Sequence, residues 1–143
     1  MKIALASDHA GYAAKLVLAE YLKNKGIETY DFGCHSENSC DYADFAHPLA
    51  DVIEKGEYDF GFALCGSGNG INMTANKHQG VRAALCWLPE LAVLARSHND
   101  ANICSIPARF ITFAQLTEIA DCFIKTEFEG GRHALRVAKI CCQ

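Results

Sequence analysis

Short apolar runs separated by segments of helical spacing follow each other along this chain. Five such runs are typical of strands, and they cover residues 2–7, 27–32, 59–65, 81–87 and 103–106. Between and after them, apolar residues recur at helical spacing and predict helices over residues 11–25, 42–55, 71–77, 89–97, 112–126 and 131–141. The pattern places Pro48 near the start of the second helix and leaves residues 33–41 as a polar loop.

Strands that alternate with helices predict an α/β fold. We expect a single Rossmann-like three-layer domain over residues 1–143, with a five-stranded parallel sheet and helices on both faces. Sheets of this kind bind ligands at the carboxyl ends of their strands. Three polar clusters are predicted at or near such ends: Asp8-His9, Cys65 with the loop GSGNG, and the turn His98-Asn99-Asp100.

Composition narrows the class of protein. The 143 residues are half apolar and 21% charged, which excludes a disordered chain. No apolar run reaches the ~18–20 residues of a membrane helix, and 17 acidic against 13 basic residues disfavour a general nucleic-acid binder. The apolar stretch before Asp8 has no signal-peptide features, so we expect a cytoplasmic protein. Its eight cysteines are then reduced, and one of them is a candidate working thiol.

The segment LCGSGNG (64–70) is the sharpest motif. Its glycines at a strand-to-helix junction let the backbone turn tightly and direct several N–H groups inward, which suits a phosphate or a negative charge formed during a reaction. Cys65 at its edge is a candidate base or nucleophile. A turn that only closes a βα unit remains the alternative. The glycine spacing fits neither a dinucleotide fingerprint nor a P-loop, and the cysteine at position 65 breaks the hydrolase pattern G-x-S-x-G.

The other polar positions each allow two interpretations. His9 with Asp8 suits phosphate binding or proton transfer, or a helix cap. His98 is a candidate acid–base group or a residue that satisfies the end of a helix. Arg132 and Arg136, four residues apart on one helix face, match a phosphate or form a solvated basic face. Tyr42 lines a loop site or merely begins a helix.

Metal ligation is not predicted. Cys34/Cys40 and Cys141/Cys142 lack C-x₂-C spacing, and the histidines do not recur at ligand intervals. The cysteines other than Cys65 are interpreted as packing residues or incidental surface thiols.

Six segments occur in an order that resembles the type B ribose-5-phosphate isomerases of the ribose/galactose isomerase family. They are ASDHAG (6–11), DYADFAHP (41–48), CGSGNGINMTANK (65–77), VRAALC (81–86), HNDAN (98–102) and EGGRHALRV (129–137). The resemblance implies an aldose–ketose isomerase that interconverts ribose 5-phosphate and ribulose 5-phosphate without metal or organic cofactor.

The resemblance also implies a role for each candidate residue. Cys65 is the base that forms an enediolate, and His98 opens the sugar ring. The negative charge is held by Ser67 and by the backbone of Gly66, Gly68, Asn69 and Gly70. Substrate hydroxyls are oriented by Asp8 and Asn99, and Tyr42 lines the sugar pocket. The phosphate is held by His9, Arg132 and Arg136.

Members of this family are dimers or tetramers whose sites are shared between subunits. By that resemblance, His98, Asn99, Arg132 and Arg136 come from the partner of the subunit that carries Cys65. We therefore expect a homodimer or homotetramer, with the helix over residues 131–141 at the subunit interface.

Some positions depart from the family pattern. Ile71 replaces the glutamate that another branch uses as base, and Ala43 replaces a usual proline. Pro107 leaves the contribution of Arg109 open, because proline fixes φ and removes an N–H. The alternatives are an isomerase of a six-carbon sugar phosphate (allose 6-phosphate or galactose 6-phosphate) and a non-catalytic phosphate- or nucleotide-binding module. A thiol redox protein is disfavoured by the lack of a C-x-x-C motif.

Overall fold

A fully parallel five-stranded sheet forms the centre of the computed structural model, which describes residues 1–141. Its strands are β1 (Lys2–Ser7), β2 (Glu28–Asp31), β3 (Phe60–Cys65), β4 (Ala83–Leu85) and β5 (Ile103–Pro107). They lie in the order β2-β1-β3-β5-β4. The helices are α1 (Tyr12–Asn24), α2 (Tyr42–Glu54), α3 (Asn69–Ala75), α4 (Pro89–Asn99), α5 (Phe113–Lys125) and α6 (Arg132–Val137).

Alternate residues of the central strands face two separate cores. In β1, Ile3 and Leu5 pack with α1, α4 and α5, whereas Ala4 and Ala6 pack with α2 and α3. The period of two along a strand explains this division. Both faces of the sheet are therefore covered by helices, and the predicted three-layer α/β fold is confirmed.

The strand order places a crevice above β1 and β3. From β1 the chain moves to β2 on one side, and it then returns to β3 on the other side. Neighbouring connections therefore leave in opposite directions at the carboxyl ends of β1 and β3, which is where open α/β sheets bind ligands. Asp8 and His9 follow β1 directly, and Cys65 is the last residue of β3.

Two predicted element boundaries were wrong in ways that matter for the site. Asn69 and Gly70 belong to the first turn of α3, which begins two residues earlier than predicted. His98 and Asn99 are the last two residues of α4 and not part of a turn; the helix stops at Asp100, whose backbone is left-handed with φ of 47°. Lack of a proline or glycine after Ser97 explains why α4 continues.

Two further boundaries also differ from the prediction. Pro48 lies inside α2 rather than near its start, and the helix continues through it. α6 ends at Val137, so residues 138–141, which the prediction included, lie outside the observed helix, and residues 142–143 lie beyond the described part of the chain. Within the described residues, no helix has the length and apolar character needed to cross a membrane.

Candidate active site

A cleft of about 250 Å³ opens at the carboxyl ends of β1 and β3. It is lined by Asp8, His9, Ala10, Tyr42, Cys65, Gly66, Ser67, Gly70 and Arg109. Four chain segments that are far apart in the sequence therefore meet here. Sequence analysis singled out all of these residues except Ala10 and Arg109 as site residues.

Cys65 lies at the floor of this cleft, with only 4% of its surface exposed. The backbone N–H of Gly68 donates a hydrogen bond to its sulfur at 3.1 Å. Gly68 has φ of 75°, in the left-handed region that favours glycine, and this conformation turns its N–H back toward the strand end. The loop therefore directs a fixed donor at the thiol, as its glycine content predicted.

The rest of the glycine loop forms one wall. Ser67 is exposed, and its hydroxyl oxygen accepts a hydrogen bond from the N–H of Asn69 at 3.3 Å. The ring of Tyr42, the first residue of α2, packs against Gly70 so closely that a Cβ there would lie 2.5 Å from the ring. A glycine at position 70 is therefore needed for Tyr42 to reach the cleft.

Asp8 and His9 form the opposite wall. One carboxylate oxygen of Asp8 accepts a hydrogen bond from the N–H of Gly11 at 2.9 Å, which orders the turn before α1. The first turn of α1 itself has no side-chain cap, so the helix-cap interpretation is not confirmed. Nδ1 of His9 accepts a hydrogen bond from the N–H of Cys40 at 3.3 Å. In its neutral form His9 must then carry its proton on Nε2, which makes Nε2 a donor for a ligand anion.

Arg109 is a cleft residue that sequence analysis had left open. After Pro107 the chain continues alongside the end of β3, because Ala108 N–H donates to Cys65 O at 2.9 Å and Arg109 N–H donates to Gly66 O at 3.1 Å. The guanidinium of Arg109 covers Gly66, where a Cβ would lie 3.2 Å from it. These two hydrogen bonds align the segment, and Arg109 adds a positive charge to the cleft.

Four predicted site residues lie away from the cleft: His98, Asn99, Arg132 and Arg136. α4 begins after the carboxyl end of β4 and ends just before the amino end of β5. His98 and Asn99 therefore lie at the amino ends of the strands, whereas Cys65 lies at a carboxyl end. Their predicted position near a carboxyl end was therefore wrong. Arg132 and Arg136 are exposed on α6, which packs against α4.

His98 has two neighbours that sequence analysis missed. Its ring stacks on that of His133, with centroids 4.2 Å apart and planes 7° apart. A carboxylate oxygen of Glu129 lies 4.0 Å from Nε2 of His98 and 3.5 Å from Nε2 of His133. Burial, followed by the charges of His98 and Arg132, lowers the pKa of His133, so this ring is neutral near pH 7. The only sequence signal for His133 was its place in the motif GGRH, directly after the candidate phosphate ligand Arg132.

A family model described as Ribose/Galactose Isomerase matches residues 3–140. The chain belongs to the ribose/galactose isomerase family. Both the resemblance and the expected class of aldose–ketose isomerase are thereby confirmed, and the match spans the cleft and the His98 region together.

Relatives of this isomerase share its whole length. The ribose-5-phosphate isomerase B of Escherichia coli strain K12 is 37% identical over 97% of this chain and 93% of its own. A structure of Clostridium thermocellum ribose-5-phosphate isomerase B is 46% identical, with a TM-score of 0.97 over 98% of this chain and 95% of that one. The Mycoplasma genitalium enzyme, solved with bound ribulose-5-phosphate, is 42% identical, with a TM-score of 0.93 over 97% and 93%.

The remaining cysteines of the isomerase divide by burial. Cys34, Cys86 and Cys104 are buried, as predicted for packing residues, and Cys141 is exposed. Burial raises the pKa of Cys40, Cys104 and Cys122, which keeps them protonated near neutral pH. Cys40 also donates its backbone N–H to His9, a link to the cleft that the sequence pattern did not indicate. Cys142 lies outside the described residues.

Candidate metal ligands group in two places among residues 1–141. One group is His98, Glu129 and His133, and the other is Asp51, Glu54 and His78. Sequence spacing indicated neither group, because the histidines of each group are brought to their acidic partners only by packing between separate elements. Neither group lies among the residues that line the cleft beside Cys65.

Proposed function

We propose that this isomerase interconverts ribose 5-phosphate and ribulose 5-phosphate through an enediolate, with the thiolate of Cys65 as base and without a metal. The observation that carries the proposal is the position of Cys65 Sγ at the floor of a polar cleft, beside the N–H of Gly68. Support for the substrate comes from the Mycoplasma genitalium relative, whose structure contains ribulose-5-phosphate.

The reaction begins with the open-chain aldose. The sulfur of Cys65 removes the proton from carbon 2, and the electron pair of that bond forms the carbon 1–carbon 2 double bond while negative charge moves to the oxygen on carbon 1. Backbone N–H groups of the glycine loop stabilise this oxygen, and removing one such donor in comparable sites costs about 2.7–4 kcal/mol. A proton then moves from the oxygen on carbon 2 to that on carbon 1, and the thiol returns its proton to carbon 1.

We further propose that a second copy of the chain completes the cleft. His98 and Asn99 lie at the amino ends of the strands and Cys65 at a carboxyl end, so one chain cannot bring them together. In the assembly, the partner's copies of these residues, with those of Arg132 and Arg136, reach over the cleft. His98 then opens the ring by protonating its oxygen. The arginines hold the phosphate together with His9 and Arg109, and α6 lies at the interface.

The phosphate of the substrate is on carbon 5, away from the reacting carbons 1 and 2. His9 Nε2 and the Arg109 guanidinium are the donors for it among the residues that line the cleft, and Tyr42 bounds the sugar beside Gly70. Binding energy gained at the phosphate therefore orients carbon 2 toward Cys65. Asp8 orients a substrate hydroxyl through the part of its carboxylate that lines the cleft.

Turnover of ribose 5-phosphate by metal-depleted Cys65→Ala protein tests the proposal. We expect nearly complete loss of isomerisation with retained calorimetric binding of ribose 5-phosphate, whereas Cys122→Ala, which removes a half-buried thiol on α5, should turn over normally. Unchanged turnover in Cys65→Ala would contradict the role of Cys65. Wild-type protein that binds but never isomerises would instead be a phosphate-binding module.

A panel of aldose phosphates tests the substrate class. Ribose 5-phosphate should give the highest kcat/KM among ribose 5-phosphate, allose 6-phosphate and galactose 6-phosphate. A kcat/KM for a six-carbon substrate more than about tenfold higher, which corresponds to 1.4 kcal/mol in transition-state binding, would overturn the assignment to a five-carbon sugar.

A further inference from the structure

Three side chains of α2 and one after α3 meet on the surface away from the cleft. His47, Asp51 and Glu54 follow each other at intervals of four and three residues, which places them on one face of α2. His78 follows α3 and lies against that face. Its Nδ1 is 3.2 Å from a carboxylate oxygen of Asp51 and 3.5 Å from one of Glu54.

These separations fit the coordination shell of one ion. Zinc binds histidine nitrogen and carboxylate oxygen at about 2.0–2.2 Å in tetrahedral geometry, which places neighbouring ligand atoms about 3.3 Å apart. We propose that Asp51, Glu54 and His78 form a divalent-cation site that prefers zinc, with water as the fourth ligand. Two carboxylates and one neutral imidazole balance the double charge of the ion.

The surrounding groups already orient two of the three ligands. Oε1 of Glu54 accepts a hydrogen bond from the N–H of Gly80 at 2.7 Å, which leaves Oε2 directed at His78. The other ring nitrogen of His78, Nε2, lies 2.9 Å from Nδ1 of His47. A histidine that binds a metal commonly donates its second N–H to such a partner. Only 14% of the His78 side chain is exposed, so its ring has little freedom to move.

Metal binding changes the tautomers of two histidines and releases no net proton. In the metal-free tautomer that the contacts favour, Nδ1 of His78 donates to the carboxylates and Nδ1 of His47 donates to Nε2 of His78. When zinc binds, Nδ1 of His78 gives up its hydrogen to solvent, and Nε2 of His78 takes the hydrogen that Nδ1 of His47 had donated to it. The Nε2 of His47 takes one proton from solvent, so both imidazoles stay neutral and His78 Nε2–H now donates to His47 Nδ1. No oxidant or reductant is needed, and affinity should fall with decreasing pH because protons compete with zinc for the ligand atoms.

The ion would join two elements that reach the cleft at their other ends. α2 begins with Tyr42, and α3 begins within the glycine loop. A cross-link between the end of α2 and the segment after α3 stabilises the folded state by mass action. The site is thus structural, and it does not depend on the proposed isomerisation or on its lack of a metal.

Calorimetric titration of untagged, chelator-treated protein with ZnCl₂ tests the site, together with the absorption of the cobalt(II) form. We expect one equivalent to bind, a higher melting temperature, and the intense visible bands of tetrahedral cobalt. Asp51→Asn and His78→Gln should abolish all three effects. His47→Ala should weaken binding about 10–100-fold, as expected for a residue that only orients a ligand.

Control variants separate this site from other histidines. His35→Ala removes an exposed histidine of the loop 33–41 and should leave the titration unchanged. Zinc binding that survives Asp51→Asn but is lost in Glu129→Gln would assign the ion to the group around His98 and overturn the proposal. Binding lost in His47→Ala but retained in Asp51→Asn would overturn the ligand set, and absence of binding in the wild type would overturn the site.

Discussion

The imidazole rings of His98 and His133 lie parallel, with 4.2 Å between their centroids. His133 is buried, and its neutral ring gives His98 a fixed surface to rest on. If His98 opens the sugar ring, His133 is its positioning residue. We expect His133→Ala to lower kcat by about tenfold, since a misplaced acid–base group loses part of the 10²–10⁴-fold that it supplies. His133→Phe keeps the flat ring and should restore most of kcat.

A purely structural role for His133 predicts a different pattern. His133→Ala and His133→Phe would then lower the melting temperature, and the two folded variants would have the same kcat. The comparison therefore uses turnover of ribose 5-phosphate at saturating substrate, with the folded fraction of each variant measured in the same buffer.

Gly68 and Gly56 share a left-handed backbone but differ in their surroundings. Their φ angles are 75° and 70°, so alanine at either position costs about 1–2 kcal/mol. A Cβ at Gly56 meets nothing within 4 Å, whereas one at Gly68 overlaps the side chain of Leu85 and lies 3.1 Å from the nitrogen of Pro107. We expect Gly68→Ala to be the less stable protein and to lose turnover, because its N–H no longer reaches Cys65.

The Gly56→Ala variant is the control for this prediction. It should show a lower free energy of unfolding in urea and a normal kcat. If both variants lost the same stability and kept the same kcat, the shape of the glycine loop would not matter for the reaction.

Lys15 is fully buried and holds the loop 33–41 in place. Its Nζ donates to Asp31 Oδ1 and to the carbonyl oxygen of Cys34, each at 2.5 Å. Removing one member of a buried ion pair costs about 3–5 kcal/mol. Because a third of the Asp31 side chain is exposed, we expect Lys15→Met to fall at the lower end of that range in urea unfolding.

The same variant should also affect substrate binding. The loop brings the N–H of Cys40 to His9, so a looser loop should raise KM more than it lowers kcat. Lys25→Met breaks a surface pair with Asp121, which solvent screens, and should destabilise the protein much less than Lys15→Met and leave KM unchanged. Equal losses in the two variants would contradict the role assigned to Lys15.

Sequence patterns predicted those features of the fold and site that depend on neighbouring residues along the chain. The apolar runs of β1 and β3, the helical segments between the strands and the glycines after Cys65 were sufficient to predict the sheet, the layers and the thiol beside the crevice. Arg109 could not be placed from sequence, because its position depends on two backbone hydrogen bonds between the end of β3 and the segment after β5. The group around His78 was missed for the same reason, since its ligands come from elements that meet only when α2 packs beside α3.

The position of His98 shows how chain connectivity decides an interpretation. A segment between α4 and β5 lies at the amino end of β5 whether it is a turn or the end of the helix, and Cys65 lies at the carboxyl end of β3. Motif order along the chain cannot show this, because the family pattern records which residues are present and not which subunit supplies them. The separation is therefore the physical reason to expect a shared site.

Mixing two inactive variants tests that expectation. Cys65→Ala and His98→Ala should each lose turnover as homo-oligomers. In a mixed dimer, one cleft combines the intact Cys65 of one chain with the intact His98 of the other, while the second cleft lacks both. Random exchange of subunits in a symmetric dimer should then restore about a quarter of wild-type activity.

The recovered activity should appear at the rate of subunit exchange and grow after mild denaturation and refolding of the mixture. Cys65→Ala mixed with Ser67→Ala serves as the control, because both changes lie on the same side of the cleft and every mixed cleft keeps one of them. The control pair should recover no more than the activity of Ser67→Ala alone. Equal recovery in both mixtures, or no recovery in the first, would contradict a cleft that takes Cys65 from one chain and His98 from the other.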